Sequence, residues 1–184
     1  MPVRGLSRRN FLKTGAAGLA TAALPLGTVR PAFAANVVLG AVYVGPRDDY
    51  GWNQAHAVAM EILKGTDGVD VIEEENVPET DAVAQSMESM INLDGANLIL
   101  GTSFGYYSPF MVDLAKQYPD VEFRHAAPLW KEGDPVNAGS YFCYLNQAHY
   151  VNGVAAGLST TSNKIGFVAA KPIPTVLSNI NSVL

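Results

Sequence analysis

Val37-Val38-Leu39-Gly40-Ala41-Val42-Tyr43-Val44 is an apolar run interrupted only by a glycine. Because it is continuous rather than alternating, it predicts a strand buried on both faces, as a parallel sheet requires. Gly45-Pro46 ends the run. Residues 52–64 then carry Ala55, Ala59, Ile62 and Leu63 at helical spacing, and Val69-Asp70-Val71-Ile72 predicts a second, short strand. Pro78-Glu79-Thr80-Asp81 opens another helix, with Val83, Met87, Met90 and Ile91 on one face. The unit repeats as a strand at 97–100, a loop at 101–108 and a helix at 109–118, whose first turn suits Pro109. Further strands are expected at 121–125, 138–145 and 164–169, with helices at 148–158 and 175–184. Strand alternating with helix across short Gly/Pro loops gives an α/β fold with right-handed crossovers.

Upstream of the first strand the chain has a different character. Ser7-Arg8-Arg9-Asn10-Phe11-Leu12-Lys13 precedes an apolar stretch over 15–26. Paired arginines before a short Gly/Ala-rich apolar run are the pattern of a twin-arginine export leader, and the run is too short to span a bilayer permanently. Ala32-Phe33-Ala34 places small residues where a signal peptidase reads, so cleavage is expected after Ala34. Residues 1–34 are therefore read as signal peptide and the periplasm as the destination.

The leader holds five of the 12 basic residues and none of the 17 acids, which leaves the remainder at a net charge of −10. Such a surface repels phosphate backbones and anionic headgroups, so nucleic acid and membrane-surface partners are not expected. No second apolar run reaches transmembrane length, and the mature protein is expected not to be embedded in a membrane. Cys143 is the only cysteine; it excludes an intrachain disulfide and, within Tyr141-Phe142-Cys143-Tyr144-Leu145, is expected to be a small buried residue.

In open α/β sheets ligands bind beyond the carboxyl ends of the strands, where loops from neighbouring strands face each other. Here those loops are 45–53, 101–108 and 170–175. The first holds Asp48, Asp49, Tyr50, Trp52 and Asn53, and the second Ser103, Phe104, Tyr106 and Tyr107. Two readings stand side by side. Aromatic planes with a few polar groups suit a flat, uncharged, hydrogen-bonding ligand. Equally, the aromatics cap a sheet edge and the acids cap a helix. His56, His125 and His149 stand at no spacing that marks a triad or a metal site, and they are read as structural. Neither a dinucleotide fingerprint nor a phosphate loop occurs. Glu73-Glu74-Glu75 is read as a solvated strand end. No cofactor and no enzymatic activity are expected.

Several stretches together resemble one family. Asp48-Asp49-Tyr50-Gly51-Trp52-Asn53-Gln54 is similar to an acidic loop followed by an aromatic, Asn and Gln. Gly101-Thr102-Ser103-Phe104-Gly105 resembles a second ligand loop, and Lys116-Gln117-Tyr118-Pro119-Asp120-Val121-Glu122-Phe123 a helix-to-strand join. Tyr150-Val151-Asn152-Gly153-Val154-Ala155-Ala156-Gly157, Lys164-Ile165-Gly166-Phe167-Val168-Ala169 and Pro172-Ile173-Pro174 correspond in order to a helix, strand and loop. The family is that of the basic membrane proteins, also called PnrA-like, the substrate-binding components of ABC importers.

The resemblance implies a periplasmic-binding-protein type I-like architecture. Residues 35–145 would form a Rossmann-like parallel-sheet lobe, and 146–184 the hinge and the incomplete start of a second α/β lobe. It implies that Trp52 stacks on a purine base or nucleoside, that Asn53 hydrogen-bonds the base edge, and that Asp48, Ser103 and Phe104 line the cleft. The implied partners are an ABC permease and an ATPase. Two departures stand out: the leader lacks a lipobox cysteine, and Trp52 replaces the more usual Phe. The alternatives are a ligand-sensing partner of a receptor and a cofactor-containing exported enzyme.

Overall fold

The computed structural model describes residues 36–184; the signal peptide and its cleavage site lie outside the described residues. The opening run forms β1 (Val37–Val42), an interior strand of a five-stranded parallel sheet. It pairs with β2 (Val69–Glu74) on one side, Leu39 opposite Val71, and with β3 (Leu98–Gly101) on the other, Leu39 opposite Leu98. Beyond β3 lie β4 (Glu122–Ala126) and β5 (Ala138–Tyr141), so the order is β2-β1-β3-β4-β5.

The period-2 alternation of β1 explains why the sheet is covered on both faces. Leu39, Ala41 and Tyr43 point to one side, where Met60 of α1 (Trp52–Lys64) packs over them together with Leu100. Val42 points to the other, joining Val83, Met87 and Met90 of α2 (Asp81–Asn92) and Met111, Leu114 and Phe123. Thr80 caps α2 by accepting the backbone N–H of Ala82. Asn137, buried just before β5, donates its side-chain amide to the carbonyls of Ala115, Tyr118 and Val121. That links the end of α3 (Val112–Gln117) to the start of β4.

Several expectations need correction. The buried stripe of α1 runs through Asn53, Ala57, Met60 and Leu63, whereas Ile62 is exposed. Apolar residues surround this helix, so spacing alone admits more than one face. The helix expected at 109–118 is regular only over α3; Phe104–Tyr106 is a 3-10 turn and Tyr107–Met111 a wider turn. Strand β5 stops at Tyr141, and beyond it Cys143 is exposed rather than buried. The Glu73 side chain is only 5% exposed, not solvated. It takes Lys64 at 2.5 Å, Arg47 at 3.2 Å and the Tyr43 hydroxyl at 2.8 Å. Burial pushes its carboxyl up, but these donors and cations outweigh burial and hold it below the usual range.

After β5 come α4 (Leu145–Ser159) and α5 (Pro174–Val183), which pack on each other. Gly153 permits the approach, since a Cβ there would run into the backbone of Val183. Between them, 164–169 forms no ladder with any described strand and its residues are exposed, contrary to the expected strand. A β-pattern becomes a strand only where a neighbouring edge accepts its hydrogen bonds.

Candidate functional site

The strand order reverses between β1 and β3, and in doubly wound sheets that switch point opens a crevice outside the carboxyl ends of the strands. A cleft of about 330 Å³ lies there. Asp49, Trp52 and Asn53 enter it from the loop after β1, Ser103 and Phe104 from the loop after β3, and Ala170, Lys171, Ile173 and Thr175 from the loop before α5. All three loops singled out in the sequence thus meet. Asp48 and Tyr50 do not line the cleft, and Tyr50 is 95% exposed at a φ of 55°. Tyr106 and Tyr107 are buried, their hydroxyls donating to the Val77 carbonyl and to Asp134.

Trp52 opens α1, and its indole N–H donates to the Thr102 carbonyl at 2.6 Å. Thr102 is itself pinned, its hydroxyl donating to the Val42 carbonyl. The indole is therefore fixed to the ends of both central strands while 37% of the residue stays exposed. Phe142 stands 6.3 Å away, tilted by 37°, and lines the same cleft. One held aromatic face, with a second beside it and a mostly apolar wall, can take a flat ring.

Asp49 performs the capping that the sequence left open. Its carboxylate accepts the backbone N–H groups of Gly51, Asn53 and Gln54 and the side-chain amide of Asn53. The three backbone N–H groups are orphan donors at the start of α1. Burial raises its pKa, but the four hydrogen bonds win and hold it below the ordinary value. Asn53 is buried, and its side-chain oxygen has no protein partner.

Ser103 leads to residues the sequence reading missed. Its hydroxyl donates to Glu79 at 2.5 Å, and the Gly105 N–H donates to the same oxygen at 2.8 Å. Lys171 grips both carboxylate oxygens at 2.8 Å. Gly105 makes room for this, because a Cβ there would come within 2.6 Å of the Glu79 carboxyl carbon. Burial pushes the Glu79 carboxyl up, yet Lys171, Ser103 and Gly105 together hold it below the usual range. Glu79 and Lys171 are 92 positions apart, and no spacing rule links them.

Behind Ser103, His125 is fully buried, with Nε2 at 2.8 Å from the Ser103 carbonyl and Nδ1 at 3.3 Å from that of Ala127. Burial lowers its pKa despite these carbonyls, which favours the neutral ring. A depressed histidine pKa contributes stability that is full above the unfolded value, about 6.5, and is lost as pH falls toward the folded value. Unfolding free energies from denaturant curves between pH 7.5 and 5 should therefore fall in the wild type, with a slope of at most about 1.4 kcal/mol per pH unit for one proton. His125→Asn should flatten that window; an unchanged slope would contradict the assignment. The carboxylates Asp49, Glu73 and Glu79 act only at lower pH, below about 4.5.

A second hollow of about 380 Å³ adjoins at the β5 edge, sharing Phe142, Thr175 and Asn179, but it lies away from the switch point. Among the described residues no group of three His, Cys, Asp or Glu is placed to hold a metal ion. No described helix is long and apolar enough to cross a membrane.

A family profile described as ABC transporter substrate-binding protein, PnrA-like, matches residues 36–182. The chain belongs to this family. A second profile, the twin-arginine translocation signal, matches residues 5–25, and this PnrA-like protein is exported to the periplasm. It is 34% identical over 148 residues to a purine-binding protein of Brucella abortus, covering 79% of this chain and 41% of that one. It is 36% identical over 146 residues to a Haloferax volcanii protein whose name proposes glucose binding in ABC transport, covering 77% and 35%. The chain thus spans about two fifths of the length of these curated relatives. An ABC transporter solute-binding protein of Conexibacter woesei superposes with a TM-score of 0.63 at 25% identity, over 80% of this chain and 48% of that one. Family and fold neighbours alike are solute-binding proteins rather than enzymes.

Proposed function

We propose that this protein captures a purine base or nucleoside in the cleft at the β1/β3 switch point and delivers it to an ABC permease and its ATPase. The observation that carries the reading is Trp52, an indole fixed by its N–H to Thr102 with one part left open to the cleft. A purine would stack on that face, with Phe104 and Phe142 bordering it. Ser103 and Asn53 would supply the polar edge, and Asp49 would act by holding Asn53 and the start of α1. Asp48 and Tyr50, which stand outside the cleft, would act only through movement of the 45–51 loop. The name of the Brucella relative supports the same ligand class.

Residues 35–145 and 146–184 would belong to two lobes hinged near 145–147, with closure over the ligand giving the form the permease reads. A sugar is the second reading, favoured by the name of the Haloferax relative. Isothermal titration with adenine, adenosine, guanosine and a sugar panel including glucose separates them. The proposal expects heat from purines and none from sugars; heat from glucose alone would replace purine by sugar.

A further inference from the structure

Among the described residues, two charged ones line the cleft, Asp49 and Lys171. Asp49 is committed to four hydrogen bonds at the start of α1. Lys171 is committed to Glu79, and so are the Ser103 hydroxyl and the Gly105 N–H. An ammonium, a hydroxyl and a backbone N–H converging on one carboxylate make the donor set that would hold a phosphate or carboxylate group of a ligand. The protein fills that set with its own side chain.

We infer that Glu79 is a specificity-determining residue that closes an anion-binding cradle, so that the cleft takes an uncharged solute and refuses its phosphorylated form. An anionic ligand would meet the Asp49 carboxylate and a Lys171 ammonium already neutralised by Glu79 behind it, so that among the described residues the cleft offers no uncommitted cation, and like charges brought together are strongly disfavoured. The tight fit of Gly105 against the Glu79 carboxyl carbon fits a carboxylate built into this position. The inference rests on the cleft being the ligand site, but not on the ligand being a purine.

The test compares the wild-type chain with Glu79→Ala, which empties the cradle, and with the isosteric Glu79→Gln, which removes only the charge. Inorganic phosphate, adenosine 5′-monophosphate and adenosine are titrated into each. Glu79→Ala should gain affinity for phosphate and the monophosphate on the order of tenfold or more, with a smaller gain in Glu79→Gln. Adding Lys171→Met to Glu79→Ala should abolish the gain. If neither Glu79 variant gains, or if the gain survives without Lys171, the inference is overturned. Adenosine reads the purine proposal separately. Its failure in every variant, alongside a gain for phosphate, would remove the purine reading and leave the role of Glu79 standing. Should Glu79→Ala lose its fold by circular dichroism, Glu79→Gln decides by the same criterion.

Discussion

Trp52→Ala should weaken binding of the cleft ligand by about 1–3 kcal/mol, the range of base–aromatic stacking, which is roughly fivefold to more than a hundredfold in affinity. The indole is held at its N–H, not enclosed, so its loss removes a stacking face without opening the core. Trp52→Phe separates the two roles. It keeps an aromatic face and loses the donor to Thr102, and it should recover most of the affinity. Titration calorimetry of the variants, with denaturation curves alongside, is the check. A Trp52→Ala chain that unfolds, but whose folded fraction binds normally, would make Trp52 a packing residue.

The largest effect on stability is expected at Phe123. It lies fully buried on β4, between Ile99 on β3 and Ala138 on β5 in register, and it belongs to the cluster beneath α2 and α3. Phe123→Ala removes a ring that the sheet cannot collapse to replace, and it should cost about 3–5 kcal/mol. Against a total stability of about 5–15 kcal/mol, that is enough to leave a marginal domain partly unfolded at 37 °C. Urea midpoints measure it. A loss below about 1 kcal/mol would mean that the core packs elsewhere than on this face.

What was legible in the sequence follows from how local each signal is. The run at 37–44 specifies a doubly covered strand because burial on both faces removes the polar alternation, and β1 is an interior strand paired on both sides. The bounds of α1 are marked by Gly51 and Gly65 at its two caps, and the buried face of α2 by Val83, Met87 and Met90. The three loops were placed by topology alone, and they converge on one cleft. Signals requiring a distant partner were not legible. Nothing within 164–169 reports whether an edge is there to pair with it, and nothing in Glu73 reports that Lys64 and Arg47 will bury it. The Glu79–Lys171 pair is the clearest case: Glu79 reads locally as a helix-opening acid and Lys171 as a loop cation, and only the fold brings them to 2.8 Å.

The central claim is that the ligand lies against Trp52. The chain has two tryptophans, Trp52 in the cleft and Trp130 outside its lining. Each can therefore be made the sole emitter, Trp52 in Trp130→Phe and Trp130 in Trp52→Phe. Titration with adenosine should quench Trp52 emission saturably, at the affinity measured by calorimetry, and should leave Trp130 emission unchanged. Saturable quenching of Trp130 with none of Trp52 would contradict the account.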